Sequence, residues 1–434
     1  MTTQRPDETC EICARGAEPT EVTRRAFIKG SVAVVSVGMA MPSVFSRTVR
    51  TASTSKMAGG TFQDSGKVLI VVQMAGGNDG LNTVVPFADP KLATLRPTLI
   101  TREQDLAFKL NGSLGLHPGL AAFKPLWDAG DLAVVSNVGY PDPSLSHFQS
   151  MDIWETMDPQ ERQGWLGRYL AGLIDRDGHP LAGIDITTAL SPALNALSAP
   201  VATMSSPQSF SLVGAGESPG QTALLAATLD RIYRAYPKAA PYAALLAQTE
   251  QNSFSAAKLL TKVGGAYQPK ATYPPGPFGN GLKVLAEAIV AGIGMRVGYI
   301  TLGGFDTHRD QAGQHARLLA LLSTGIAALL DDLGAQGKGS DVSVMTWSEF
   351  GRRPQENASG GTDHGTAAPL FLAGAGVKGG VYGDPPDLGN LDANANLKFQ
   401  TDFRQVYATV LEGWLKVPAD GVIPKQYTPL PLLA

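Results

Sequence analysis

Asp363 and His364 stand side by side in Gly361-Thr362-Asp363-His364-Gly365, where two ligand-type side chains in a tight glycine turn have little packing value. Asp306 and His308 repeat the pairing in Gly304-Phe305-Asp306-Thr307-His308, and Asp79 follows Gly76-Gly77-Asn78. Glu349 and Arg352 lie in Ser348-Glu349-Phe350-Gly351-Arg352-Arg353, while Ser144, Ser146 and His147 open what reads as a helix through Met151, Trp154 and Glu155. Carboxylates and imidazoles both offer deprotonated oxygen or nitrogen donors near neutral pH, which suits a divalent metal. A pair of such ions polarises a phosphoryl or sulfuryl oxygen and lowers the pKa of a hydroxyl nucleophile. At the start of a helix, the free N–H groups and positive dipole end favour an anionic ester.

Each piece also has a plainer reading. Asp79 is a good turn former, Ser146 a good N-cap, and Asp306-Thr307-His308 a hydrogen-bonded loop. Arg352 and Arg353 fit a solvated face as well as an anion clamp. What raises the chemical reading is that these segments all follow, or just precede, strand-like runs.

Lys67–Gln73 is a continuous apolar, β-branched run, and similar runs occur at Leu132–Val138, Val297–Leu302, Val342–Met345 and Pro369–Ala373. Such runs, buried on both faces, mark a parallel sheet. Helical periodicity appears between them, at Leu282, Leu285, Ala286, Ile289 and Val290, and again over Leu318–Leu333. The alternation predicts an α/β fold with a mostly parallel central sheet flanked by helices. Open parallel sheets bind ligands at the carboxyl ends of their strands, which is where these polar residues fall. Residues of about 160–275, rich in Ala, Ser, Pro and helix formers, read as a largely helical insertion.

The N-terminus reads as an address. Thr23-Arg24-Arg25-Ala26-Phe27-Ile28-Lys29 is a twin-arginine pattern, and the apolar stretch Ser31–Phe45 after it is too short and too rich in Gly, Ser and Ala for a good membrane span. Residues 1–46 are expected to be a twin-arginine (Tat) signal peptide read by the Tat translocase during export, and 47–66 a Ser/Thr/Gly linker. An uncleaved signal anchor would tether the same domain outside the membrane. Either way the domain from 67 to 434 is expected to work in the periplasm or outside the cell, with no stable membrane span in the mature chain. Both cysteines, Cys10 and Cys13, precede the arginine pair, so a processed chain has no thiol chemistry.

Composition sets the outer limits. The chain has 434 residues, 44% hydrophobic and 17% charged, which is globular. A net charge of -3 gives no basic field for nucleic acid, so no nucleic-acid partner is expected.

The series G-G-N-D-G-L-N-T-V-V-P (76–86), S-H-F (146–148) with D-I-W-E (152–155), G-F-D-T-H (304–308), S-E-F-G-R-R (348–353) and G-G-T-D-H-G (360–365) resembles domain-of-unknown-function family 1501, in order and over nearly the whole mature chain. That family is similar in turn to the alkaline phosphatase superfamily, which includes sulfatases. The resemblance implies an alkaline-phosphatase-like α/β domain with one or two divalent ions, of zinc, manganese, calcium or magnesium. It implies that Asp79, Asp363 and His364 hold one ion, and that Asp306 and His308 hold a second or act on the leaving group. It makes Ser146, or less favourably Ser144, the nucleophile beside His147, with Arg352 on the substrate's anionic oxygens.

Some features depart from that pattern. Ala75 stands where the family often has Arg, and one residue rather than three separates Asp306 from His308. No histidine follows His364, so one metal site is incomplete by this pattern unless Glu349 or His147 replaces the missing ligand. The C/S-x-P-x-R segment of typical sulfatases is absent. The reading that follows is an exported, metal-dependent hydrolase of phosphate or sulfate esters, with an anionic ester as substrate. The alternative is a non-catalytic phosphatase-like scaffold that binds a partner or glycan at the cell surface.

Overall fold

A computed structural model describes residues 62–157, 163–173, 181–187, 189–196, 201–204 and 267–433, with Ala199 and Arg231 as isolated positions. The expected signal peptide, both cysteines, most of the linker and most of the 160–275 stretch lie outside these residues.

The strands, in chain order, are β1 (Val68–Ala75), β2 (Val84–Val85), β3 (Phe108–Lys109), β4 (Gly115–Leu116), β5 (Leu132–Gly139), β6 (Gly183–Ile186), β7 (Val201–Thr203), β8 (Val297–Gly303), β9 (Val342–Trp347), β10 (Arg352–Glu356), β11 (Thr362–His364), β12 (Ala368–Gly374), β13 (Gly380–Tyr382) and β14 (Thr401–Asp402). Nine of them form the central sheet in the order β13-β5-β12-β9-β1-β8-β6-β7, with β14 also on β5. All run parallel except β12, which is antiparallel to both β5 and β9. This is the mixed α/β fold, with a mainly parallel central sheet flanked by helices, that the apolar runs imply. β10 and β11 form a separate antiparallel pair.

β1 shows why the sheet is buried on both sides. Val68, Ile70, Val72 and Met74 point into one apolar core with Leu282, Leu285, Leu322 and Leu329, while Leu69 and Val71 point into another with Trp165, Phe403 and Tyr407. Successive side chains on a strand face opposite sides, so a run with no polar break has two cores to fill. The Gln311–Ala335 helix, of 25 residues, is long and apolar enough by length and composition to cross a membrane. Leu319, Leu322, Ile326, Leu329 and Leu333, spaced three and four apart, form its stripe buried in the first core.

Within the 160–275 stretch the Trp165–Gly172 helix is present, but β6 and β7 belong to the main sheet. Their four and three residues are too short to show the periodicity that marks the longer strands.

Register places the site. Ala75 pairs with Gly303, and Gln73 with Trp347, so β1, β8 and β9 end on one edge of the sheet. Because β12 runs the other way, its start, and the β11 residues just before it, return to that edge. The β1 exit needs its glycines: Gly76 and Gly77 have φ of +122° and +79°, and a Cβ there would strike the Asp306 backbone and the Phe350 ring.

Two carboxyls are buried along the same sheet. Glu155, on the His147–Thr156 helix, accepts from Ser191 Oγ at 2.8 Å, and Asp185, on β6, accepts from Ser191 N at 2.6 Å. Burial pushes both up to about 7. Each therefore keeps its proton in the folded chain at pH values where an unfolded carboxyl, with pKa about 4, has lost it. Their contribution is full below about pH 4 and declines as the pH rises to about 7. His117 and His315, both held down to about 4 by burial, act in the opposite direction between about pH 4 and the ordinary histidine value of 6.5. Replacing Glu155→Gln and Asp185→Asn removes only the declining part. In urea unfolding at pH 4.5, 5.5, 6.5 and 7.5, the variant is expected to gain on the parent at each step up to pH 7. Parallel profiles would refute the assignment.

Candidate metal centre

The sheet edge brings His147, Asp306 and His364 together, with one ligand atom from each inside a 4.8 Å span. His147 is the first residue of the His147–Thr156 helix, Asp306 follows β8, and His364 ends β11. His147 Nε2 lies 3.7 Å from Asp306 Oδ2, and His364 Nε2 lies 3.3 Å from Asp306 Oδ1. His308 flanks the group, with Nε2 3.0 Å from Asp306 Oδ1 and 3.0 Å from His364 Nε2.

The other nitrogen of each ring is held from behind. His147 Nδ1 is 2.8 Å from Glu349 Oε1, His364 Nδ1 is 2.8 Å from the Leu145 carbonyl, and His308 Nδ1 is 3.3 Å from Asp363 Oδ1. Oxygens at those positions accept an Nδ1–H, so in the neutral ring the Nε2 lone pair faces the cluster. Two ring nitrogens 3.0 Å apart, each with its Nδ1 proton already donated, favour a proton or a cation between them, although Arg352 Nη1 also stands 3.5 Å from His308 Nε2. A carboxylate, three inward-facing imidazoles and three outer acceptors make the donor arrangement of a divalent-metal site.

The residue roles differ from the expected ones in several places. Glu349, 1% exposed, is no part of the cluster: its Oε1 accepts from Gly76 N at 2.8 Å and orients His147. Asp363 likewise sits behind His308, where Asn357 Nδ2 donates to its Oδ1 at 3.1 Å. The Asn357 hydrogen bond outweighs partial burial, which acts the other way, and holds the Asp363 carboxyl below the usual range. His147, expected either beside the nucleophile or as a replacement ligand, is one of the three converging residues.

Arg352 does not face the open site as an anion clamp. It is 1% exposed and wraps strand ends: Nε donates to Gly77 O at 2.8 Å, Nη1 to Thr362 O at 2.8 Å, and Nη2 to Phe305 O at 3.1 Å and to the Gly76 carbonyl. Nη2 also donates to Asp306 Oδ1 at 2.7 Å. Burial opposes ionisation of Asp306, but the Arg352 hydrogen bond and charge outweigh it and hold the carboxyl below its usual range. Burial and the Arg352 charge also hold His364 below the ordinary histidine value, which favours the neutral ring.

Asp79 lies apart from the cluster. Fully buried, it forms an ion pair with Arg96, which is equally buried, and accepts from Gln311 Nε2 and, at 3.2 Å, from Asn82 Nδ2. Its loop neighbour Asn78 meets buried His315 at 3.0 Å. The metal-ligand role expected for Asp79 is thus replaced by a buried ion pair, because an arginine from a distant loop reaches it first.

Ser146 is exposed and is the N-cap of the His147–Thr156 helix, yet its side chain makes no capping hydrogen bond. Ser144 Oγ donates to Gln149 Oε1 at 2.9 Å and accepts from Ser146 N at 3.2 Å. Phe350, 1% exposed, packs beneath two of the ligand-type rings, with centroids 4.5 Å from His364 and 4.9 Å from His147. Arg96, Gln311, Asn357 and the Leu145 carbonyl were not anticipated. Arg96 had one signal, a lone cation between Leu95 and Pro97.

Among solved structures, similar chains include the C-terminal periplasmic domain of EcEptC from Escherichia coli, at 11% identity and TM-score 0.36, covering 86% of this chain and 92% of that one. PsFucS1 sulfatase from Pseudoalteromonas sp. is 10% identical with TM-score 0.34, covering 91% and 76%. A TAB5 alkaline phosphatase mutant with Mg bound in its M3 site is 9% identical with TM-score 0.30, covering 73% and 94%. No curated protein matches. A family match spans residues 133–422 and is described as a protein of unknown function, DUF1501. Since that match takes in most of the chain, including His147, Asp306, His308 and His364, the protein belongs to the DUF1501 family.

Proposed function

We propose that this chain is an exported, metal-dependent hydrolase of phosphate or sulfate esters. The observation that carries the reading is the convergence of the His147, His308 and His364 Nε2 atoms on Asp306, each ring held by an acceptor behind it. An imidazole-rich donor set suits zinc or manganese better than calcium or magnesium, which favour all-oxygen shells. A divalent ion there would polarise a phosphoryl or sulfuryl oxygen and lower the pKa of a bound hydroxyl or water. His147, Asp306 and His364 form the tightest three-donor set, and His308 adds a fourth donor beside Asp306 and His364.

The chain's own groups supply the rest. Ser146 is the favoured nucleophile, exposed at the start of a ten-residue helix and free of a capping bond. The N–H groups of that helix's first turn would face the ester's anionic oxygens. Ser144, tied to Gln149, is the weaker candidate. Arg352 fixes Asp306, and Glu349 and Asp363 fix two of the rings. The twin-arginine segment supports export through the Tat pathway to the periplasm or beyond.

One observation favours the second reading, a non-catalytic scaffold binding an anionic partner or glycan. Asp79 and Arg352, two groups expected to serve the substrate or its ions, are locked in buried contacts.

Two experiments separate these readings. Chain equilibrated with zinc or manganese is expected to lose its bound metal in the His147→Ala/His364→Ala variant, read by elemental analysis after a chelator wash. Equal metal in both would refute the site. On 4-nitrophenyl phosphate and 4-nitrophenyl sulfate, Ser146→Ala is expected to lower turnover by roughly 100-fold or more, with metal content unchanged. Undiminished turnover would rule out Ser146 as nucleophile, and no turnover by the metal-loaded parent would favour the scaffold.

A further inference from the structure

The alkaline-phosphatase-like pattern divides its ligands between two ions, with Asp79, Asp363 and His364 on one and Asp306 and His308 on the other. The geometry does not keep that division. His308 and His364, assigned to different ions, have Nε2 atoms 3.0 Å apart and share Asp306 Oδ1 at 3.0 and 3.3 Å. Two ligands about 2.0–2.1 Å from one tetrahedral zinc lie roughly 3.3 Å from each other. Paired metal ions themselves stand about 3.5–4 Å apart. The nitrogen spacing therefore suits one ion shared by both rings.

Asp79 offers a second ion one oxygen at most. Among the described residues, the side-chain hydrogen bonds to its carboxylate all come from N–H donors: Arg96 Nη1, Gln311 Nε2 and Asn82 Nδ2. The Asp79 carboxylate, which only accepts, orients the Gln311 amide with Nε2 toward it, and Oε1 then accepts from Thr307 Oγ1 at 3.0 Å and Thr362 Oγ1 at 2.6 Å. Arg96 is locked as well, with Nε on Pro354 O and Nη2 on Arg353 O, each at 2.8 Å. Among the described residues Asp79 Oδ1 has no hydrogen-bond partner, but one oxygen among N–H donors is not a cation site. The remaining acid of the pattern, Asp363, faces His308 Nδ1 from behind.

We propose that this chain holds one divalent ion rather than two, with the buried Arg96 guanidinium standing on Asp79 as a built-in cation. The inference rests on the metal reading above, not on ester hydrolysis. It makes Asp79 and Arg96 positioning residues for the β1 exit loop, whose Gly76 and Gly77 carbonyls Arg352 grips.

Elemental analysis of purified full-length chain, equilibrated with excess zinc and washed with a weak chelator, tests it. The parent is expected to retain one zinc per chain. Asp79→Asn is expected to retain the same one, with a lower thermal midpoint, because it leaves Arg96 buried and unpaired. Asp79→Asn/Arg96→Met removes both charges and is expected to recover part of that midpoint, again with one zinc. Should Asp79→Asn fail to fold, the double variant and the parent carry the count. Two zinc ions in the parent, or a loss of one ion in either Asp79 variant, would overturn the proposal. One zinc with no hydrolysis of any ester would uphold it while refuting the hydrolase reading, and no zinc in the parent would refute both.

Discussion

The Arg352 guanidinium is the contact on which the rest of the site depends. Its donors reach Gly76 and Gly77 after β1, Phe305 and Asp306 after β8, and Thr362 in β11. Two exits of the central sheet and the start of β11 are thereby fixed at one point. A planar, five-donor group can do this, whereas a lysine ammonium on a flexible stem cannot reproduce the fork. Because one donor also takes Asp306 Oδ1, the same residue sets the orientation of the carboxylate at the centre of the cluster. The glycines at 76 and 77 are the counterpart, since any Cβ would force the β1 exit away from Asp306 and Phe350.

Around that point the cluster is built in two layers. Three ring nitrogens and a carboxylate face inward, and Glu349, Asp363 and the Leu145 carbonyl face them from outside. Outer partners of this kind raise the basicity of a metal-ligating imidazole and fix its tautomer. Leu145 directly precedes Ser146, so the His364 ring ties the turn that presents the serine to the cluster itself.

The fold class was readable because the long strands are mostly apolar on both faces, as a sheet covered on both sides requires. The convergence of the site was readable for the same reason, since strand ends of a parallel sheet share an edge. Individual roles were less so. Asp363 and His364 are adjacent in β11, and successive strand residues face opposite sides, so one faces the cluster while the other sits behind it. Asp306 and His308, two apart with Thr307 buried between them, both reach the cluster. Burial was the other blind spot. Nothing in the local sequence shows that Arg352 is 1% exposed, or that Arg96 travels from its own loop to Asp79. Those contacts are long-range, and a charge shared across a fold leaves no periodic trace. β6 and β7 escaped for a simpler reason, their shortness.

The central claim is that His147, Asp306 and His364 form the primary ligand set of a divalent ion. Anomalous diffraction at the zinc edge, on crystals of the zinc-loaded chain, tests it most directly. The account predicts an anomalous peak about 2.0–2.2 Å from Nε2 of His147, Nε2 of His364 and a carboxylate oxygen of Asp306. A peak seated on Asp79, or no peak among these three residues, would contradict it.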